Sequence, residues 1–247
     1  MLVINLDRSE GRLANARGEL ERAGVTFERV PAVDGRQFPA AEIARLAPPD
    51  QLAFFSQLTL AEIGCYLSHL AALERIVAEG WPCALVMEDD FRLTSSFAPV
   101  LSELVALPRL PHLVKLEGVL KGGEVVAELP SGARLVRHRR PPVRSMATLW
   151  SLEGARRFLA VARPIRRPVD VQLKHWWEGD LDILTVSPSP VAEHDEHGAS
   201  STIGNRRSQG LLYHLRKFRY RMGYACACQW HLLKRRGLRS WLRANLG

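Results

Sequence analysis

The chain has 247 residues, 47% hydrophobic and 24% charged, which excludes wholesale disorder and suffices for a core without disulfide staples. Its net charge of +8 sits at one end: residues 197–247 hold eleven Lys or Arg and no Asp or Glu, leaving 23 basic and 26 acidic side chains in residues 1–196. Four cysteines favour a reducing compartment, no run reaches the 18 apolar residues of a membrane span, and Asp7 and Arg8 follow the first apolar run too soon for a signal peptide, so a cytoplasmic protein is expected.

Leu2-Val3-Ile4-Asn5-Leu6 predicts a buried strand. Ser9 can start a helix that runs to about Ala23 and closes at Gly24. Residues 25–30 predict a second strand, and Pro31 to Gly35 a turn. Strand, helix, strand with short connections points to a parallel α/β sheet. Residues 36–58, with Pro48-Pro49, read as loop. Thr59-Leu60-Ala61-Glu62 then fits a capping box, Thr59 bonding forward and Glu62 back. Ile63, Leu67, Leu70 and Val77 follow close to one helical face, and Gly80 ends the helix. Cys83 to Met87 is a short apolar run, read as a central parallel strand buried on both faces. Further strands are predicted at 112–116, 147–152 and 181–186, with a helix at 153–162 stopped by Pro164. Residues 187–204 read as loop. The expected architecture is an α/β domain over 1–205, its mostly parallel central sheet flanked by helices, followed by a basic helical tail over 206–247.

Glu88-Asp89-Asp90 carries the clearest chemical signal. Three acids cannot extend a buried strand without partners, so they belong at its carboxyl end, where open α/β sheets bind ligands. Residues two apart on an extended chain face the same way, so Glu88 and Asp90 can converge on one point. Such a pair suits Mg²⁺ or Mn²⁺ held partly by substrate phosphates; the plain alternative is a solvated acidic loop. His69 shares a helix line with Cys65 and is either a packing residue or a substrate contact. Lys115, inside an apolar strand, needs a partner, which is either a carboxylate or a phosphate. Cys226-Ala227-Cys228 has no second pair and does not read as a zinc knuckle.

The block Glu62-Ile63-Gly64-Cys65-Tyr66-Leu67-Ser68-His69, followed about twenty residues later by Leu85-Val86-Met87-Glu88-Asp89-Asp90, resembles glycosyltransferase family 25. Ile4 to Ser9 with Arg12, Ala32-Val33-Asp34-Gly35, Lys115-Leu116, Pro168-Val169-Asp170 and Ser201-Thr202-Ile203 extend the resemblance over roughly 1–203. It implies a nucleotide-diphospho-sugar fold of the GT-A kind. It also implies an inverting transferase using UDP-galactose and Mn²⁺, with a bacterial-type lipooligosaccharide or other surface glycan as acceptor. Glu88, Asp89 and Asp90 would stand at the metal and nucleotide motif. Asn5, Arg8, Ser68, His69 and Lys115 would contact donor, Arg8 meeting uracil or phosphate unless it forms a salt bridge. His194 or His197 would supply a late metal ligand. An inverting transfer needs a base for the acceptor hydroxyl. Asp170 is the candidate, beside Trp176 and Trp177, which would raise its pKa and stack on sugar; otherwise it is a helix cap.

In the tail, aromatic and aliphatic residues alternate with cations. This pattern reads as an interfacial anchor that would hold the protein peripherally on the inner face of an anionic membrane. No nucleic-acid module is recognised. Two other functions fit parts of the sequence. One is a metal-dependent nucleotidyltransferase, which would release pyrophosphate. The other is a non-enzymatic lipid-binding module working through the tail alone.

Overall fold

A computed structural model describes residues 1–118, 122–194 and 210–236. The chain opens with β1 (Leu2–Asn5), α1 (Glu10–Arg22) and β2 (Glu28–Pro31). Short 3₁₀ turns at Gly35–Gln37 and Pro49–Gln51 flank α2 (Ala40–Leu46). Then come α3 (Leu60–Ala78), β3 (Cys83–Met87), β4 (Phe91–Leu93), α4 (Phe97–Val105) and β5 (Leu113–Lys115). The hairpin β6 (Glu124–Glu128) and β7 (Arg134–Arg137) follows, then β8 (Ala147–Ser151), α5 (Leu152–Val161) and α6 (Val169–Lys174). Last are β9 (Ile183–Ser187), β10 (Val191–Glu193) and α7 (Gly210–Arg236).

Eight strands form one sheet in the order β2-β1-β3-β8-β5-β9-β7-β6, and β10 pairs with β4 separately. Six of the eight run one way; β8 and β7 run against them, as their antiparallel pairings with β3, β5, β9 and β6 require. Alternation along each strand fills both faces. Leu2, Ile4, Ala84 and Val86 join one core cluster with α3, α5 and α6. Val3, Leu85 and Met87 join the other with α1 and α4. This two-sided burial is what the unbroken apolar run 83–87 predicts.

The expected loop at 36–58 contains α2, whose seven residues bring only Ile43 and Leu46 against the core, too short a stretch for a helical periodicity to stand out. The capping box at Thr59 forms: its hydroxyl accepts from Glu62 N at 3.1 Å and Glu62 Oε2 accepts from Thr59 N at 2.8 Å. The next turns of α3 lie directly on the turn after β2. A Cβ at Gly35 would overlap the Leu60 carbonyl, and one at Gly64 the Val33 carbonyl. Only glycine allows this approach.

Helix α7 has two unlike faces. Tyr224, Cys228 and Leu232, four residues apart, are buried against the domain. His231 stacks on Trp177 with 5.2 Å between ring centroids. The opposite side exposes Leu211, Leu215, Phe218 and Met222. No helix among the described residues is long and apolar enough to cross a membrane.

Candidate functional site

The carboxyl ends of β1, β2 and β3 lie side by side because the three strands pair in parallel. A cavity of about 90 Å³ opens over them, walled by Arg8, Arg12, Asp34, Arg36, His69 and Glu88 among others. A second cavity, of about 390 Å³, adjoins it and shares Cys65 and Glu88. Glu62, Asp90, Arg144 and Asp170 line the second. Glu88 therefore stands on the ridge between two chambers.

The three acids have three different surroundings. Asp89 is bracketed: Asn5 Nδ2 donates to its Oδ2 at 2.6 Å, and Arg12 lies 3.2 Å from its Oδ1. Burial raises its pKa, outweighing these two partners. Glu88 Oε1 lies 3.1 Å from His69 Nε2 and 4.0 Å from Cys65 Sγ. Burial pushes the Glu88 carboxyl up, but the His69 hydrogen bond and the charges of His69, Arg12 and Lys115 outweigh it and hold it below its ordinary value. Asp90 goes the other way. Burial, then the neighbouring Glu88 charge, raises it to about 7, with Arg12 at 3.8 Å only partly offsetting them. The neighbouring positive charges thus settle on Glu88 and leave Asp90 the carboxyl whose ionisation is resisted.

Cys65, His69 and Glu88 each point one ligand atom into a cluster less than 4.8 Å across. Burial and surrounding carboxylates push the Cys65 thiol well up, which keeps it protonated without a bound cation. His69 is buried and fixes the rotamer of Glu88.

Several expected contacts have other surroundings. Lys115 is fully buried: its ammonium donates to the Pro142 carbonyl at 2.8 Å and to the Arg144 carbonyl, and lies 3.4 Å from Glu117. Of the two partners expected for it, the carboxylate is the one present. Ser68 is buried, donates to Gly64 O at 2.7 Å and accepts from Val33 N at 2.8 Å. It ties α3 to the turn and also lines the smaller cavity. Asn5 is equally buried; besides Asp89 it accepts from Arg29 Nε at 3.0 Å. It thereby links Asp89 of the triplet to Arg29 of β2. Arg8 lines the smaller cavity while paired with Asp34.

Asp170 opens α6 and faces the larger cavity, its Oδ1 accepting from Val171 N at 2.7 Å. The expected tryptophan neighbours lie elsewhere. Trp176 is buried in the core under the Arg235 guanidinium, and Trp177 packs between Tyr224 and His231. The aromatic side chain that shares the cavity with Asp170 is Phe54. His197 lies outside the described residues. His194 reaches the site by its backbone, donating to Asp90 O at 2.9 Å. Arg12 is a site residue that the sequence placed within the resemblance without giving it a role of its own. Its place just after the Ile4 to Ser9 block was the available signal.

A family model described as "Glycosyltransferase family 25 (LPS biosynthesis protein)" matches residues 1–123. The chain is 30% identical over 230 residues to a bovine protein named "Probable inactive glycosyltransferase 25 family member 3", covering 83% of this chain and 38% of that protein. To the human "Inactive glycosyltransferase 25 family member 3" it is 30% identical over 223 residues, 76% of this chain and 35% of the other. To the "Glycosyltransferase 25 family member" of Drosophila pseudoobscura pseudoobscura it is 27% identical over 219 residues, 80% and 34% respectively. The chain thus spans less than two fifths of the length of these relatives.

Proposed function

Because the chain belongs to glycosyltransferase family 25, we propose that it is a metal-dependent inverting hexosyltransferase with a GT-A-like fold, moving galactose from UDP-galactose to a surface-glycan acceptor such as lipooligosaccharide. The observation that carries this reading is the position of Glu88 and Asp90, at the carboxyl end of a central strand and on the wall of one cavity. The smaller cavity takes the nucleotide and the larger one the reacting sugar and acceptor. Arg8, Arg12 and Arg36 put positive charge around the smaller one.

The donor set fits a hard divalent cation: two carboxylates on one wall, one of them pushed to about 7 by burial and its neighbour's charge. Glu88 and Asp90 would hold Mn²⁺ or Mg²⁺, with His69 keeping Glu88 in place. Bound there, the ion offsets the charge of the departing diphosphate. Asp170 faces the same cavity and is the candidate base: its carboxylate takes the acceptor hydroxyl proton as that oxygen attacks the anomeric carbon and UDP leaves. Lys115, paired with Glu117, holds the 142–144 backbone, which in turn carries the Arg144 N–H toward Asp170.

The test is Mn²⁺-dependent release of UDP from UDP-galactose. The Asp90→Ala variant should lose it, and undiminished release in that variant would remove the metal role. Asp170→Asn should lower kcat by about 10²–10⁴ while leaving UDP affinity intact. Pyrophosphate in place of UDP would indicate the nucleotidyltransferase instead. A second reading, a sugar-nucleotide binder without turnover, draws on the names of the mammalian relatives, which call those proteins inactive. It predicts UDP binding with no release from the sugar nucleotide. The exposed apolar stripe of α7, flanked by Arg216 and Arg219, supports peripheral attachment to an anionic membrane at its inner, cytoplasmic face.

A further inference from the structure

A third cavity, of about 520 Å³, lies between α6, α7 and the Phe54-Phe55 loop, and it shares Phe54 and Val171 with the Asp170 cavity. Its charged lining is of one sign. Arg140, Lys174, Lys217 and Arg221 face it from three parts of the chain, and among the described residues no Asp or Glu lines it. Phe54, Phe55, Tyr220 and Tyr224 supply the rest of the wall, apart from Val171. The rings are wedged together, Phe54 on Tyr220 at 5.3 Å and Phe55 on Tyr220 at 5.7 Å between centroids.

The cations lie over these rings: Lys174 Nζ 4.9 Å from the Tyr224 centroid, Arg140 5.8 Å from the same ring, and Lys217 5.6 Å from Phe55. An aromatic face attracts a cation by only about 0.5–1 kcal/mol at an exposed site and carries no counter-charge. Among the described residues, none of the four forms an ion pair. Burial, then the positive charges of Arg140 and Arg221 against the opposing charge of Asp170, leave the Lys174 ammonium below its ordinary pKa. Like charges gathered around an open volume, with rings to stack on, form a receptor for an anion attached to a flat or ring-shaped body. The volume falls within the usual range for a small-ligand pocket.

We propose that this cavity is an acceptor subsite for a saccharide bearing a phosphate or carboxylate group. The anion lies among Arg140, Lys174 and Arg221, and a sugar ring stacks on the Phe54–Tyr220 wall. The proposal rests on the reading of the adjoining Asp170 cavity as the transfer site, because that adjacency makes the ligand an acceptor. It deepens that reading by naming what selects the acceptor: an acidic sugar next to the hydroxyl that is glycosylated.

The experiment is calorimetric titration of the full chain with glucose 6-phosphate, glucuronate and glucose as probes, alongside a UDP titration. Glucose 6-phosphate or glucuronate should bind at least tenfold more tightly than glucose and weaken as salt rises. The double variant Arg140→Gln/Arg221→Gln should lose tenfold or more of that affinity with UDP affinity unchanged. If its folding is impaired, the single variant Lys217→Gln, at a half-buried position of α7, serves as the milder test and should lose part of the affinity. Equal binding of charged and neutral sugars, or charged-sugar binding untouched by both variants, would overturn the proposal. So would a result in which only phosphatidylglycerol vesicles, and neither acidic sugar, depend on these residues. Charged-sugar binding that needs these residues, in a protein that does not bind UDP, would keep the subsite and remove the transferase reading.

Discussion

Burial acts in opposite senses on the imidazole of His175 and the carboxyl of Asp90. Burial first, then the charge of Arg167, pushes His175 down to about 4, while burial and Glu88 push Asp90 up to about 7. Between pH 4 and 6.5 the unfolded His175 binds more protons than the folded one, so its contribution to stability is complete above 6.5 and lost as pH falls. That contribution is on the order of 3 kcal/mol across the window. Asp90 binds more protons when folded, so its contribution is lost as pH rises from about 4 to 7. The two slopes largely cancel. In EDTA, His175→Gln, which keeps only the Asp90 slope, should therefore lose stability steadily as pH rises from about 4 to 7, whereas Asp90→Asn, which keeps only the His175 slope, should rise over that range and gain most on wild type at pH 7. Urea midpoints at several pH values check this; parallel profiles for the three proteins would contradict it. Asn5→Ala, which strips Asp89 of a buried donor and Arg29 of an acceptor, should cost about 1–3 kcal/mol in the same assay. At this scale the sequence showed which side chains were chemically unusual and not what they touch. Lys115 was legible as a charge needing a partner, but the partner carbonyls lie 27 and 29 residues away along the chain. Trp176 and Trp177 adjoin the Asp170 segment in sequence, yet α6 turns them into the core and toward α7.

Local signals predicted whole elements well, and the reason is visible in α3. A capping box is complete within four residues, so Thr59 and Glu62 announce it without any tertiary context. Thr59→Ala should cost about 1 kcal/mol, read as a shift in the urea midpoint. Gly35→Ala should cost clearly more, because the new methyl meets the backbone carbonyl of Leu60, which cannot move without shifting α3. If Gly35→Ala proved as mild as Thr59→Ala, the close packing of α3 on the β2 turn would be wrong. Other elements left weaker marks. Helix α4 carries Pro99 in its first turn, where proline is tolerated but reads as a breaker. Strand β4 is three residues long and is defined by β10, about a hundred residues later. The direction of β8 was not readable at all: a strand apolar on both faces has the same pattern whichever way it runs, and only its pairing with β3 and β5 fixes it.

For the molecule as a whole, the decisive feature is that α7 belongs to two surfaces. Its sequence was read as one aromatic and cationic segment, but the helix divides it. Tyr224, Cys228 and Leu232 complete the core, whereas Leu215, Phe218 and Met222 lie outward with Arg216 and Arg219 beside them. Deleting the segment would therefore expose core as well as remove an anchor, and a loss of vesicle binding would have two explanations. Substitution separates them. The triple variant Leu215→Asp/Phe218→Asp/Met222→Asp changes only outward positions, so its melting temperature should stay near that of wild type while binding to phosphatidylglycerol vesicles falls sharply. Leu232→Ala should do the reverse, costing about 2–5 kcal/mol of stability and leaving the outward face intact. Each outward cation near an anionic leaflet adds roughly 1 kcal/mol and is screened by salt, so wild-type binding should also weaken steeply with ionic strength. Vesicle binding retained by the triple variant would place membrane attachment elsewhere on the chain, while the inward face would keep its structural role.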